Sequence, residues 1–411
     1  MDVLELSDRL WRGETTVEET HPFSLIGEAQ EVADGVAFVP SFANVSAFAT
    51  ADGLVLVDTG SAPLAQHVHT TLRRWNTSRL NTAVYSHGHI DHVFGVPVFE
   101  AEAEQNGWPA PRVVAHEALP ARFDRYLLTA GYNEVINQRQ FQLPDLRWPR
   151  AYRYPDETYA DALNLDVGGL ALQLTHCRGE TDDHTYTWVP DNNVLCCGDL
   201  FIWASPNAGN PQKVQRYPRE WAAGLRSMAG LGAELLLPGH GVPIAGADRI
   251  RQALSETAEL LEHLHDETVV MMNEGASLDD IVHTVRAPQH LLERPYLRPV
   301  YDEPEFVVRN IWRLYGGWWD GDPAHLKPAP ARALAAELSA LAGGASAMAD
   351  RARALADAGD LRLAAHLVEL AHQAAPDDEH VAAAVAEVYG RRAASEASTM
   401  SKGVFSWAAQ R

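Results

Sequence analysis

Between Tyr85 and Gly95 the chain reads YSHGHIDHVFG, which sets His87, His89, Asp91 and His92 within six positions. His87 and His89 are two apart, so in extended chain they face the same side and can share one target. Asp91 and His92 are neighbours and point in different directions as the apolar run after them begins a helix. A loop of this kind presents two groups of ligands to two adjacent metal ions. Imidazole nitrogen and carboxylate oxygen are the donors zinc takes when thiolates are absent. Two Zn²⁺ per chain are therefore expected. A histidine-rich loop arising by chance does not account for donors in so regular a register.

Such ligands need elements that end where they begin. Residues 36–60 read as two short strands, GVAFVPSFANVSAFAT and GLVLVDTG. The second stops at Asp58-Thr59-Gly60, a strand-end turn. A helix is expected from Pro63 to Trp75, followed by the strand NTAVYS that delivers the histidines. RVVAHE, LALQLTHC, HTYTWVP, NVLCCGDLF and AELLLPGHG read as further strands, with the helical stretch ALPARFDRYLLTAGYNEVINQRQF among them. Strands alternating with helices, with polar residues at strand ends, predict layered α/β packing. After residue 246 helices take over. A long one closes at Gly275, and Ser277 opens the next with Asp280 in the capping-box position. Two helices, LRLAAHLVELAHQA and DEHVAAAVAEVYGRRAASEA, are expected to close the chain, with Leu363, Leu367, Leu370 and Ala371 on one face of the first. A length of 411 residues favours two domains, drawn at 1–255 and 256–411.

Composition excludes several functions. Acidic residues outnumber basic ones by 55 to 33, and a net charge of −22 repels nucleic acid. No apolar run is long enough to span a bilayer, and the first residues show no secretory pattern. Cys177, Cys196 and Cys197 fit neither a zinc ribbon nor a disulfide framework. They read as buried thiols of a cytoplasmic protein.

Residues 87–92 resemble the signature of the metallo-β-lactamase superfamily, an αββα sandwich of metal-dependent hydrolases. The resemblance implies that His87, His89, Asp91 and His92 bind metal and that Asp58 supports their loop from behind. It implies that Asp199, in LCCGDLF, bridges the two metals and that His240, in LLPGHG, is the last ligand of the second. The usual third motif ends in a histidine ligand. Here the matching stretch is THCRGETDDHTYTW, with Glu180 in that place and His184 four residues on as the competing candidate. Glu180 is favoured because it follows Gly179, a placement similar to the alkylsulfatase branch, where glutamate replaces histidine. Asp199 departs from that branch, which commonly uses glutamate as the bridge. The C-terminal stretch, from LYGGWWDGDPAHLKP onward, resembles the alkylsulfatase dimerisation domain and implies an all-α second domain and a homodimer. The same helices also resemble a single tetratricopeptide unit, too few for a free-standing solenoid. His366 and His372, on these helices, read as packing or surface residues.

The resemblance also implies a substrate, a small anionic ester. Two Zn²⁺ are balanced by Glu180, Asp91, Asp199 and a bridging hydroxide, so the site is formally neutral and suits a monoanion better than a dianion. Lys213 and Arg216, in SPNAGNPQKVQRYPREW, and Arg139, in the helical insertion, are candidate substrate cations. Trp221 occupies a place similar to an alkylsulfatase tryptophan. Asp91 is expected to orient the hydroxide nucleophile, and His184 to protonate the leaving oxygen. The expected activity is hydrolysis of alkyl sulfate monoesters. A lactonase or carboxylic/thioester hydrolase on the same scaffold is the alternative, and a non-catalytic helical interaction protein is a third.

Overall fold

The computed structural model describes residues 2–411. The first sheet runs in spatial order β1 (Gln30–Ala33), β2 (Val36–Val39), β3 (Val45–Thr50), β4 (Gly53–Val57), β5 (Leu80–Val84), β6 (Arg112–His116) and β7 (Glu157–Tyr159). Its first four strands pair antiparallel and the rest parallel. The second sheet holds β8 (Ala162–Val167), β9 (Leu170–His176), β10 (Thr185–Val189), β11 (Val194–Ile202), β12 (Leu235–His240) and β13 (Ile244–Ala245), in spatial order from β13 back to β8. Only β11 and β12 are parallel. This is the expected α/β sandwich, with helices on its sheets.

Burial explains which strands lie inside. All five residues of β4 and all nine of β11 are buried, as in strands covered on both faces. β8 alternates, with Leu165 and Val167 inward and their neighbours toward solvent. GVAFVPSFANVSAFAT makes two strands, because residues 40–44 turn between β2 and β3.

The helices in this part are α1 (Val3–Trp11), α2 (Ala65–Trp75), α3 (Val96–Asn106), α4 (Leu119–Leu128), α5 (Ala130–Phe141), α6 (Pro218–Ala229) and α7 (Ala247–Asn273). α1, capped by the Asp2 carboxylate on the amides of Leu4 and Glu5, was not legible as an element. α7 buries Ile250, Ala253, Leu254, Thr257, Leu261 and Leu264 at helical spacing and ends before Gly275, whose φ is 83°. Next come α8 (Leu278–Thr284), α9 (Gln289–Leu292), α10 (Pro304–Gly316), α11 (Pro323–Leu326), α12 (Ala331–Leu341), α13 (Ala345–Asp357), α14 (Leu361–Ala374), α15 (Glu379–Ser395) and α16 (Thr399–Ala409). No described helix is long and apolar enough to cross a membrane.

Two compact units result. The first comprises residues up to 130, 149–276 and 280–316, and the second comprises 131–148, 277–279 and 317–411. A boundary at 255/256 would cut α7 in mid-helix, so the expected domain limits do not follow the packing. In the second unit the buried stripe of α14 is Ala364, Val368 and Ala371, while Leu363 is 46% exposed. Ala364 and Ala371 are part of the core, and their small side chains let α13, α14 and α15 approach closely. α16 follows the two helices expected to end the chain, with Ser398 capping Ser401. Most of α5 belongs to this unit: Gln142 donates to the Gly403 carbonyl at 2.9 Å and accepts from Gln410 at 3.0 Å.

Candidate metal centre

β4 ends at Val57, and Asp58 takes a left-handed φ of 60°, uncommon outside glycine. That turn aims its carboxylate at the next strand end. Oδ1 accepts the Ser86 amide at 2.7 Å, and Oδ2 accepts the Ser86 hydroxyl at 2.8 Å and His92 Nδ1 at 2.7 Å. The Ser86 hydroxyl lies 2.9 Å from His87 Nδ1. The outer nitrogens of His87 and His92 are thus engaged, which leaves each Nε2 to face inward as a ligand requires. Asp183 fixes the loop from the other side, accepting the Gly88 amide at 2.8 Å while its other oxygen meets buried Arg122 at 2.8 Å. A Cβ on Gly88 would lie 2.7 Å from the Arg122 side chain, so the residue between the histidines must be glycine.

Two donor groups form. His87, His89, Glu180 and Asp199 make one, and Asp91, His92 and His240 make the other. In the first, His87 Nε2 stands 2.8 Å from His89 Nδ1, and Glu180 Oε2 lies 3.3 and 3.2 Å from these two nitrogens. In the second, His240 Nε2 is 3.4 Å from Asp91 and His92 Nε2 is 3.7 Å from Asp91. Asp199 sits between them. Its Oδ2 is 3.8 Å from His87 and 3.3 Å from His240, and its Oδ1 is 3.4 Å from His92. Donors at about 2.0–2.1 Å from one ion in a tetrahedron stand about 3.3–3.4 Å apart. The spacings therefore suit a divalent ion in each group. His92 Nε2, Glu180 Oε2 and Asp199 Oδ1 are buried and lack a hydrogen-bond partner among the described residues. Convergent orphaned donors of this type are what a cation satisfies.

The electrostatics agree. Burial opposes charge on Glu180, Asp199 and Asp91, yet neighbouring cations and imidazoles hold all three below the usual carboxylate range. Burial likewise opposes a proton on His92 and His240. Asp199 and Asp91 nonetheless raise both, His240 to about 9. The same negative field attracts a metal.

Glu180 is built into the cluster by two residues on its other oxygen: Arg216 Nη1 and Asn207 Nδ2, each 2.5 Å from Oε1. Arg216 is 2% exposed, so its expected role as a substrate cation gives way to pairing with Glu180. Its charge also offsets the formal neutrality expected of the site. Lys213, half-buried, lies within electrostatic range of Asp91 and Glu180, and burial together with Arg216 pulls its pKa to about 8. Arg139 belongs to the second unit, where its guanidinium lies 4.2 Å over the Trp407 ring. His184 is outside both donor groups. It is fully buried, stacks 4.6 Å behind His87, and its Nε2 accepts the Asp199 amide at 3.0 Å. Burial pushes its pKa well down. It therefore lies behind the donors and not among them. Trp221 is buried, with its indole on the Leu200 carbonyl at 2.8 Å.

Sequence reasoning missed Asn44. Its amide nitrogen donates to Pro238 O and Gly241 O, each at 3.0 Å, and its backbone amide donates to Gly239 O at 2.7 Å. It ties the start of β3 to the end of β12, while Phe42 O meets His240 Nδ1. Asn207, Asp183 and Arg122 were also missed. Only the run of polar residues in GETDDHT hinted at any of them.

Residues 39–240 match the metallo-beta-lactamase superfamily, and residues 277–411 match the alkyl sulfatase dimerisation family. A linear primary-alkylsulfatase of Pseudomonas sp. is 30% identical over 351 residues, covering 80% of this chain and 66% of its own. An alkyl/aryl-sulfatase of Saccharomyces cerevisiae is 24% identical over 281 residues, covering 62% and 43%. An (R)-specific secondary-alkylsulfatase of Pseudomonas sp. is 25% identical over 318 residues, covering 70% and 47%. This chain thus spans between 43% and 66% of the length of these relatives. The solved structure of a stereoselective inverting sec-alkylsulfatase from Pseudomonas sp. superposes with a TM-score of 0.84 at 23% identity, covering 93% of this chain and 64% of that one. At that identity the likeness speaks to the fold. The chain belongs to the metallo-beta-lactamase superfamily and carries an alkylsulfatase-type dimerisation domain after the sandwich.

Proposed function

We propose that this chain hydrolyses alkyl sulfate monoesters with two zinc ions. His87, His89 and Glu180 would hold one ion, Asp91, His92 and His240 the other, and Asp199 both. The observation that carries the proposal is the convergence of these seven donors, glutamate among them, in a chain 30% identical to a linear primary-alkylsulfatase. Bound there, such a pair supplies Lewis acidity and lowers the pKa of water toward neutrality. The chain's own residues do the positioning. Asp91, with its side chain 19% exposed, is the most open carboxylate of the cluster and orients the attacking water. Asn207 and Arg216 keep Glu180 turned inward. Lys213 meets the oxygens of the anionic ester, with the charge of Arg216 adding to its field. A cytoplasmic location is part of the same proposal, supported by the three buried free thiols. So is a homodimer built through the second unit, supported by the dimerisation-family match.

The test is zinc content together with sulfate release from primary and secondary alkyl sulfates. Close to two zinc ions per chain and clear release are expected, with Asp199→Ala losing both ions. Hydrolysis of a lactone, a carboxylic ester or a thioester without any sulfate release would assign the site to that alternative chemistry.

A further inference from the structure

We infer that Phe23 and Phe42 form an apolar wall against His240 that receives the substrate's alkyl chain; this rests on the alkyl sulfate proposal above. The Phe23 ring lies 4.0 Å from the His240 ring and 4.2 Å from Tyr301, and Phe42 meets His240 edge-on at 5.7 Å. Phe23 and Phe42 are 5.8 Å apart. Tyr301 is buried beneath them, but Phe23 and Phe42 stay half-buried and keep apolar surface open beside a metal-cluster residue that is itself 1% exposed.

The wall is rigid. Gly241 donates its amide to the Pro22 carbonyl at 3.1 Å, the Phe23 amide meets His21 Nδ1 at 3.3 Å, and His21 Nε2 lies 3.3 Å from the Val300 carbonyl. A preformed surface binds an apolar chain without an ordering cost. The site is also polarised. Arg216 and Lys213 stand on the Glu180 side, and the rings stand on the His240 side, with Asp91 interacting with both Lys213 and His240. An ester with its anionic head toward Lys213 would run its tail onto Phe23 and Phe42. Half-burying a methylene on such a wall gives about a twofold gain in affinity, and full burial about fourfold.

The experiment is calorimetric binding of butane-, hexane-, octane- and decanesulfonate to the zinc-loaded protein, below their micelle concentrations. Sulfonates carry the charged head but no ester, so binding is read apart from turnover. The wild type should gain about twofold to fourfold in affinity per methylene. Phe23→Ala and Phe42→Ala should flatten that dependence, with a loss that is smallest for butanesulfonate and grows with each added methylene, and Phe23→Leu should restore most of it. A chain-length dependence equal to the wild type's in both alanine variants would overturn the wall. So would an equal loss at every chain length, which marks a structural role, or no sulfonate binding to the wild type. Loss of sulfate release with the binding pattern intact would instead sink the proposed reaction and leave the wall standing.

Discussion

At the scale of single residues, the third motif gives the sharpest contrast. Glu180 faces His87 and His89, whereas His184 stands behind His87 with its lone pair on the Asp199 amide. Glu180→Ala should lose an ion from the first group and nearly all activity, read by zinc content and turnover. His184→Ala should keep its zinc but lower the melting temperature, because a buried amide loses its acceptor at a cost of about 1–3 kcal/mol. An ion lost only from the histidine variant would reverse this assignment. His87, His89, Asp91 and His92 were legible as ligand types crowded into one loop, and the family resemblance pointed from them to Glu180, Asp199 and His240. Arg216 was not, since a sequence shows a cation but not whether it turns toward substrate or toward a ligand carboxylate. Asn44 and Arg122 act on Pro238 and Asp182, 194 and 60 residues away, and nothing local marks such pairings.

At the scale of elements, the site depends on strand ends held in register across two sheets. Asn44 is the direct tie, and its buried amide satisfies two carbonyls around His240. Asn44→Ala should destabilise the protein by about 1–3 kcal/mol and weaken the second zinc more than the first. Thermal unfolding and zinc titration would show it; unchanged affinity at both sites would mean that the Phe42 carbonyl alone orients His240. The inner strands were anticipated because their apolar runs are bounded by turn residues, whereas the edge strands β1, β7, β8 and β13, half open to solvent or very short, were not. The helical half was read less accurately. α14 looked leucine-faced, but its alanines pack inward, since helices of small residues gain more from close approach than from bulk. α1 is amphipathic but only nine residues long, α16 is weakly patterned, and both take their stability from what they pack on.

At the scale of the whole molecule, the second unit carries large apolar side chains on its surface. Trp318 is 72% exposed, Leu341 85% and Leu334 53%. These side chains are candidates for the surface that the proposed dimer would cover. Sedimentation at micromolar concentration should show a dimer, and Trp318→Ala with Leu341→Ser should shift it toward monomer. A monomeric wild type would count against the assembly. The segment 131–148 has a consequence in the order of synthesis. Gln142 leaves the ribosome 261 residues before Gly403, the carbonyl to which it donates. The last unit to be made is therefore completed by one of the earlier pieces, which must wait with its contacts unmade while most of the chain is translated. A fragment of residues 277–411 is missing that piece. It should unfold at lower temperature than the same fragment supplied with a peptide of residues 131–148, and an equal melting temperature would show that the helices close without it.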